Sequence, residues 1–192
     1  MKNFWKNIWD SKGLGNNNNL LYLCGWEHLN IEVDSNLIVK KIIKQVNIKP
    51  TDKILEIGCG AGLLSKEFKK YNYTGVDYSE PLINKHKQLF PDHNVIVAEA
   101  NNLPFKDKEF NVVFCSGVFQ YLQNLDYAKS TINEMTRVAK NSIMIVDLKT
   151  IATNDNHLIV SKNIFKEKGF KFSECMYCKD DTRYNAYKII KN

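Results

Sequence analysis

What the chain lacks narrows its possible roles first. No stretch of its 192 residues approaches the roughly 20 consecutive apolar residues a helix needs to cross a bilayer, so no membrane span is expected. The opening Met1-Lys2-Asn3-Phe4-Trp5-Lys6-Asn7-Ile8-Trp9 alternates polar and aromatic groups and has none of the continuous apolar core of a secretory signal. Arginine is nearly missing, with only Arg137 and Arg183 present. The lysines behind the formal charge of +6 are scattered. Clustered arginine interleaved with stacking aromatics would mark a nucleic-acid surface, and its absence disfavours nucleic acid as a partner. Cys175-Met176-Tyr177-Cys178 has no second pair and no histidines at ligand spacing nearby, so this lone CxxC reads as part of a late strand and its turn, and no metal is expected. Five cysteines, an odd number without a signal segment, fit free thiols in a reducing compartment, which makes the cytoplasm the expected location.

What is present fits one domain with a proper core, at 44% hydrophobic residues. Ile54-Leu55-Glu56-Ile57-Gly58-Cys59-Gly60-Ala61-Gly62 is a short apolar run that opens directly into three glycines spaced two apart. Such a run suits a strand buried in a parallel sheet, and the glycines let the following turn bring its backbone against a ligand. Leu63 stands where a dinucleotide fingerprint would place its third glycine. Glu56, just before the first glycine, suits a ligand with a cationic portion better than a pyrophosphate.

The rest of the pattern gives an order of elements. Phe4, Trp5, Ile8 and Trp9 predict a short amphipathic helix over residues 3–10, and 12–19 read as loop. A second helix runs from Asp34 as cap to Val46. Strands over 53–57, 73–77, 94–98, 110–115 and 142–147 alternate with helices over 62–70, 80–89 and 126–139, the βαβ pattern of a parallel sheet. A loop over 149–160, a helix from Ser161 to Lys168 closed by Gly169, and a hairpin from Phe170–Tyr177 and Tyr184–Ile190 complete the chain. In a doubly wound sheet, ligands bind beyond the carboxyl ends of the strands, where Gly58, Asp77, Glu99 and Cys115 all fall.

These residues carry a family resemblance. Glu56 to Gly62, E-x-G-x-G-x-G, resembles motif I of the class I S-adenosylmethionine (SAM)-dependent methyltransferases. Gly75-Val76-Asp77-Tyr78-Ser79 looks like that family's second strand, whose terminal acid binds the two ribose hydroxyls. Ala98-Glu99-Ala100-Asn101-Asn102-Leu103-Pro104-Phe105 resembles the adenine-contacting segment, with Glu99 in place of the commoner Asp. Phe110 to Val118 is similar to the fourth strand, which ends beside the cofactor, and Glu134-Met135-Thr136-Arg137-Val138 to the helix before strand five. The resemblance implies an α/β fold: a doubly wound, Rossmann-like seven-stranded sheet, mostly parallel with an antiparallel C-terminal hairpin strand. It implies a single methyltransferase domain over 1–192, with 1–48 an N-terminal helical cap and 49–192 the SAM-binding core. The implied cofactor site is Glu56, Gly58, Cys59, Gly60, Gly62, Asp77, Tyr78, Glu99, Ala100, Asn101, Cys115 and Ser116. The implied cofactor is SAM, with S-adenosylhomocysteine (SAH) as product.

Transfer of the methyl group to a small-molecule acceptor follows as the expected activity, with oxygen preferred as nucleophile. The Asn-Pro-Pro-Tyr signature of amino-directed nucleic-acid methyltransferases is absent. His157 in the loop after strand five, Tyr121 after strand four and His28 in the N-terminal segment are the candidates for base or acceptor positioning. His86 and His93 read as structural. Trp5, Trp9, Tyr22 and Trp26 either pack on the sheet or form a lid over an apolar or planar acceptor. The alternatives are a non-catalytic SAM-binding scaffold, a methyltransferase of RNA or protein, and an NAD-dependent enzyme using the same crevice. The residues select neither an acceptor nor an oligomeric state.

Overall fold

The computed structural model describes residues 4–27, 33–177 and 182–190. Seven strands, β1 (Lys53–Ile57), β2 (Asn72–Asp77), β3 (Asn94–Val97), β4 (Phe110–Ser116), β5 (Ala139–Lys149), β6 (Lys171–Glu174) and β7 (Arg183–Ile189), form one sheet in the order β3-β2-β1-β4-β5-β7-β6. Strands β1 to β5 pair in parallel, while β7 runs antiparallel to both β5 and β6. The order reverses between β1 and β4, so the crevice of this Rossmann-like α/β sheet opens at the carboxyl ends of those two strands.

Alternation along the strands makes two cores. Leu55, Ile57, Val113, Cys115, Ile143 and Ile145 face α5 (Leu125–Val138) and pack with its Ala128, Ile132 and Met135. The intervening Ile54, Val112, Phe114, Met144 and Val146 face α3 (Ser35–Val46) and pack with Ile38, Val39, Ile42 and Val46. With both faces covered, β1 is buried at four consecutive residues, which is why it reads as an unbroken apolar run. Asp34 caps α3 by accepting from the Leu37 amide at 2.9 Å, and Asn47 ends it in the left-handed region at φ 55°.

Two further helices, α1 (Phe4–Leu14) and α2 (Leu20–Leu23), precede α3, and α1 lies against α4 (Glu80–Leu89). The chain between Lys12 and Leu14, expected as loop, is the last turn of α1. Gly13 permits this: a Cβ there would sit 2.5 Å from the Pro81 carbonyl carbon, so only glycine lets the two helices approach this closely.

The helix expected over 62–70 is replaced by one 3-10 turn at Ser65–Glu67. Gly62 at φ 100° cannot open a helix, and the Ser65 hydroxyl turns back to donate to the Gly62 carbonyl at 3.1 Å. Leu63, Leu64, Ser65 and Phe68 are all buried, while Lys66, Glu67, Lys69 and Lys70 reach solvent. The last helix, α6 (Lys162–Glu167), is capped by Ser161. No helix among the described residues is long and apolar enough to cross a membrane.

Candidate active site

Two side chains hold the centre of the glycine loop, one on each side of Gly60. The Gly60 amide donates to Asp77 Oδ2 at 2.9 Å, and the Gly60 carbonyl accepts from His86 Nδ1 at 2.9 Å. That bond places the His86 proton on Nδ1, leaving Nε2 bare to accept from His93 Nδ1, 3.1 Å away. Burial pushes His86 down to about 4, so it stays neutral and keeps this tautomer at ordinary pH. His86, expected to be structural, meets a backbone carbonyl 26 residues upstream, a contact its spacing in the sequence does not signal. Gly58 at φ 73° brings the loop against Val118, whose Cγ2 would lie 2.4 Å from any Cβ added there.

Asp77 ends β2 with its side chain aimed at this loop and into the cavity beside it. Its Oδ1 accepts from the Ser79 amide at 2.9 Å, yet burial dominates and raises its carboxyl to about 6. Glu56, 3% exposed, lines the same cavity from the end of β1. Burial raises it to about 8 despite a 2.6 Å hydrogen bond donated by the Tyr73 hydroxyl. A cavity that keeps two carboxyls this dry has a deficit of positive charge, which a cationic ligand would relieve.

The other residues predicted for this site divide. Gly58, Cys59, Gly60, Tyr78, Glu99, Ala100 and Ser116 line the cavity with Glu56 and Asp77. Gly62 and Asn101 do not, and Cys115 is fully buried with its side chain in the core beneath α5. The reason is strand alternation: Ser116 takes the cavity side, so Cys115 must take the other. Glu99 is exposed and accepts from the Tyr127 hydroxyl at 2.5 Å. Tyr127 lines the cavity from the first turn of α5, a position that no motif marks.

Aromatic side chains from α1 and from three loops build another wall. Trp5, Trp9 and Trp26 line the cavity with Tyr121 and Tyr177; Tyr22 does not, and instead lies under the Lys12 ammonium at 4.1 Å. Tyr121 meets Trp5 edge-on at 4.6 Å and Trp9 at 5.1 Å, and Trp26 meets Tyr177 at 4.5 Å. Trp5 also donates from its indole nitrogen to the Asn156 carbonyl at 2.9 Å and stacks on His157 at 5.1 Å. These contacts join α1 to the loop after β5. The wall therefore packs these elements together and encloses the cavity.

The three candidate bases fare differently. Tyr121 lines the cavity, and burial raises its phenol. His157 is outside the lining, behind Trp5, with Nδ1 at 3.3 Å from the Lys149 ammonium and the ring pushed down to about 4 by burial and that charge. His28 lies outside the described residues. No cluster of three or more His, Cys, Asp or Glu side chains that could hold a metal occurs among the described residues.

With a reversed strand order, a glycine loop and a buried acid at the end of β2, the architecture is that of a nucleotide-binding α/β protein. Residues 55–146 match the family model described as a methyltransferase domain. The chain is 33% identical over 119 residues to the demethylmenaquinone methyltransferase of Staphylococcus saprophyticus, covering 58% of this chain and 50% of that protein. It is 32% identical over 120 residues to a ubiquinone/menaquinone biosynthesis C-methyltransferase of Burkholderia mallei, covering 57% of this chain and 48% of that one. The chain thus spans about half the length of these curated relatives. Among solved structures, the magnesium protoporphyrin IX methyltransferase of Synechocystis with bound SAH shares its fold at a TM-score of 0.72 and 12% identity, over 100% of each chain. Residues 55–146 are thus similar to a methyltransferase domain, and the chain has the fold of SAM-dependent methyltransferases.

Proposed function

We propose that this chain transfers a methyl group from SAM to a small-molecule acceptor and releases SAH. The observation that carries the reading is the meeting of Asp77 with the Gly60 amide at the edge of a cavity that Glu56 also faces. In this reading Asp77 holds the ribose hydroxyls, while Tyr78, Glu99 and Ala100 frame the adenine. The backbone from Gly58 to Gly62, with Cys59, supports the methionine portion, whose ammonium Glu56 faces. Ser116 and the Cys115 backbone end the fourth strand beside the transferred group. Residues 1–192 then act as one methyltransferase domain in the cytoplasm, with 1–48 as its N-terminal cap and 49–192 as the SAM-binding core.

Bound SAM supplies a sulfonium whose neutral thioether is a good leaving group. The chain's own residues bind, orient and exclude water. Holding acceptor and methyl donor in near-attack geometry can contribute about 7–11 kcal/mol in well-oriented systems. Trp5, Trp9, Tyr121 and Trp26 supply the apolar enclosure for an acceptor. Tyr121, kept as a phenol by burial, orients the acceptor or donates to it rather than removing its proton. An oxygen nucleophile that ionises by itself, a phenol or a carboxylic acid, needs no more. Carbon is the second reading, favoured by the printed activity of the Burkholderia relative.

Calorimetric titration with SAM, SAH and NAD, followed by mass spectrometry of an acceptor panel of phenols, carboxylic acids, quinols, RNA and protein, tests the reading. SAM and SAH binding with a methyl gained by a small molecule is the expected result. NAD binding without SAM binding overturns it. SAM binding with no acceptor methylated reassigns the chain as a scaffold.

A further inference from the structure

Beyond the cavity, at the end of β5, stands a buried cation that forms no ion pair among the described residues, although the charge of Asp147 acts on it from a distance. Lys149 is 9% exposed, and its ammonium contacts only Thr153 Oγ1 at 2.7 Å and His157 Nδ1 at 3.3 Å among the described residues. The nearby Asp147 accepts from Arg183 instead, and no acid lies within ion-pair distance of Lys149 among the described residues. A buried ammonium without an ion pair is costly, and anion binding would offset that cost.

The surrounding groups are donors. A lysine ammonium has three N–H bonds, of which Thr153 and His157 take two, leaving one. Since His157 Nδ1 accepts from Lys149, its remaining proton sits on Nε2, a further donor. Thr153, exposed at the surface of the loop, accepts from Lys149 and lies 3.2 Å from His157 Nδ1, so it holds the two donors together. The cluster adjoins the aromatic wall: His157 stacks on Trp5 and meets Tyr121 at 5.5 Å, and both of those rings line the cavity.

We propose that Lys149, Thr153 and His157 form an anion subsite that recognises a carboxylate or similar anionic group on the acceptor, whose planar apolar body lies against Trp5 and Tyr121. The acceptor class is therefore an aromatic or polycyclic acid. This rests on the methyltransferase reading only for the identity of the cavity, so the two can fail separately. His157 is then a residue that positions the acceptor through Lys149 and Trp5, not a base.

The test is calorimetric titration of the full chain, with and without saturating SAH, using 2-naphthoate, its uncharged isostere 2-naphthamide, and inorganic phosphate. Naphthoate should bind at least tenfold more tightly than naphthamide. Lys149→Met should erase that preference, Lys149→Arg should keep most of it, and Thr153→Val, at an exposed position, should reduce it severalfold, all with SAH affinity unchanged. Equal affinity for acid and amide in the wild type, no binding of either, phosphate binding without an acid preference, or a preference that survives Lys149→Met would each overturn the proposal. Absence of SAH binding would instead overturn the methyltransferase reading.

Discussion

The two ends of the cavity are built by different means. At the donor end, the glycine loop, Asp77 and Glu56 come from consecutive βα units, and every one of them sits at the end of a strand. Their contacts are hydrogen bonds between fixed backbone and short side chains, such as Gly60 to Asp77 and Ser79 to Asp77. At the acceptor end, the wall is made of large rings drawn from α1, the chain after α2, the turn after β4 and the chain after β6. There the contacts are edge-to-face packing and one indole hydrogen bond reaching across 151 positions. A rigid polar end paired with an aromatic enclosure fits a protein that holds one constant ligand and one that its relatives change.

The largest expected effect lies at the donor end. Gly58→Val places a branched side chain where even a Cβ meets Val118 at 2.4 Å, on a backbone at φ 73°. SAH affinity by calorimetry should fall more than 100-fold, with a lower melting temperature. If SAH binds normally, the loop is not as tight as described. Next comes the acceptor end: Trp5→Ala removes the Asn156 hydrogen bond and the His157 stack together. Turnover should fall at least tenfold while SAH affinity changes less than threefold, and an equal loss of both would erase the distinction between the two ends.

His86 gives a sharper test of the loop. His86→Leu removes the donor to the Gly60 carbonyl and should weaken SAH about tenfold, whereas His86→Asn can still donate and should recover most of that. Equal weakening by both would mean that His86 only fills space. Acid should act on the same bond. Because the folded pKa of His86 is lowered to about 4 from an ordinary value near 6.5, its contribution to stability is present above pH 6.5 and is lost as pH falls toward 4.

The smallest effect is on the ligand-free chain. Glu56 is raised to about 8, so it stabilises the fold fully below its unfolded value near 4.5 and progressively less as pH rises through 8. Melting temperature without ligand should therefore decline between pH 6 and pH 9 by a few degrees, and Glu56→Gln should flatten the decline. SAM should also flatten it by placing positive charge beside the carboxylate, and a slope that Glu56→Gln leaves intact would assign the decline to another group.

The donor end was legible because its determinants are local. Glycines spaced two apart, an acid at a strand end and the alternation of strands and helices are all visible within short windows, and each is dictated by one strand and its following turn. Local windows also misread the stretch after Gly62, where the left-handed Gly62 and the Ser65 hydroxyl replaced the expected helix by a single 3-10 turn. Cys115 shows a finer limit: a strand end can be located to one residue, yet a shift of one residue exchanges cavity for core. The roles of His86 and Tyr127, and the Lys149 cluster, depend on contacts across the fold that no spacing encodes. Trp5, Trp9 and Trp26 were conspicuous as large aromatics, but only their partners reveal that one wall does both the packing and the enclosing.

The most direct test of the account is the affinity of Asp77→Ala for SAH, measured by calorimetry beside the wild-type chain. Loss of the carboxylate that the Gly60 and Ser79 amides hold should weaken binding by about 1–3 kcal/mol, roughly 5- to 150-fold, with the melting temperature of the ligand-free protein little changed. Identical affinity in the two proteins would contradict the assignment of this cavity to the adenosyl group.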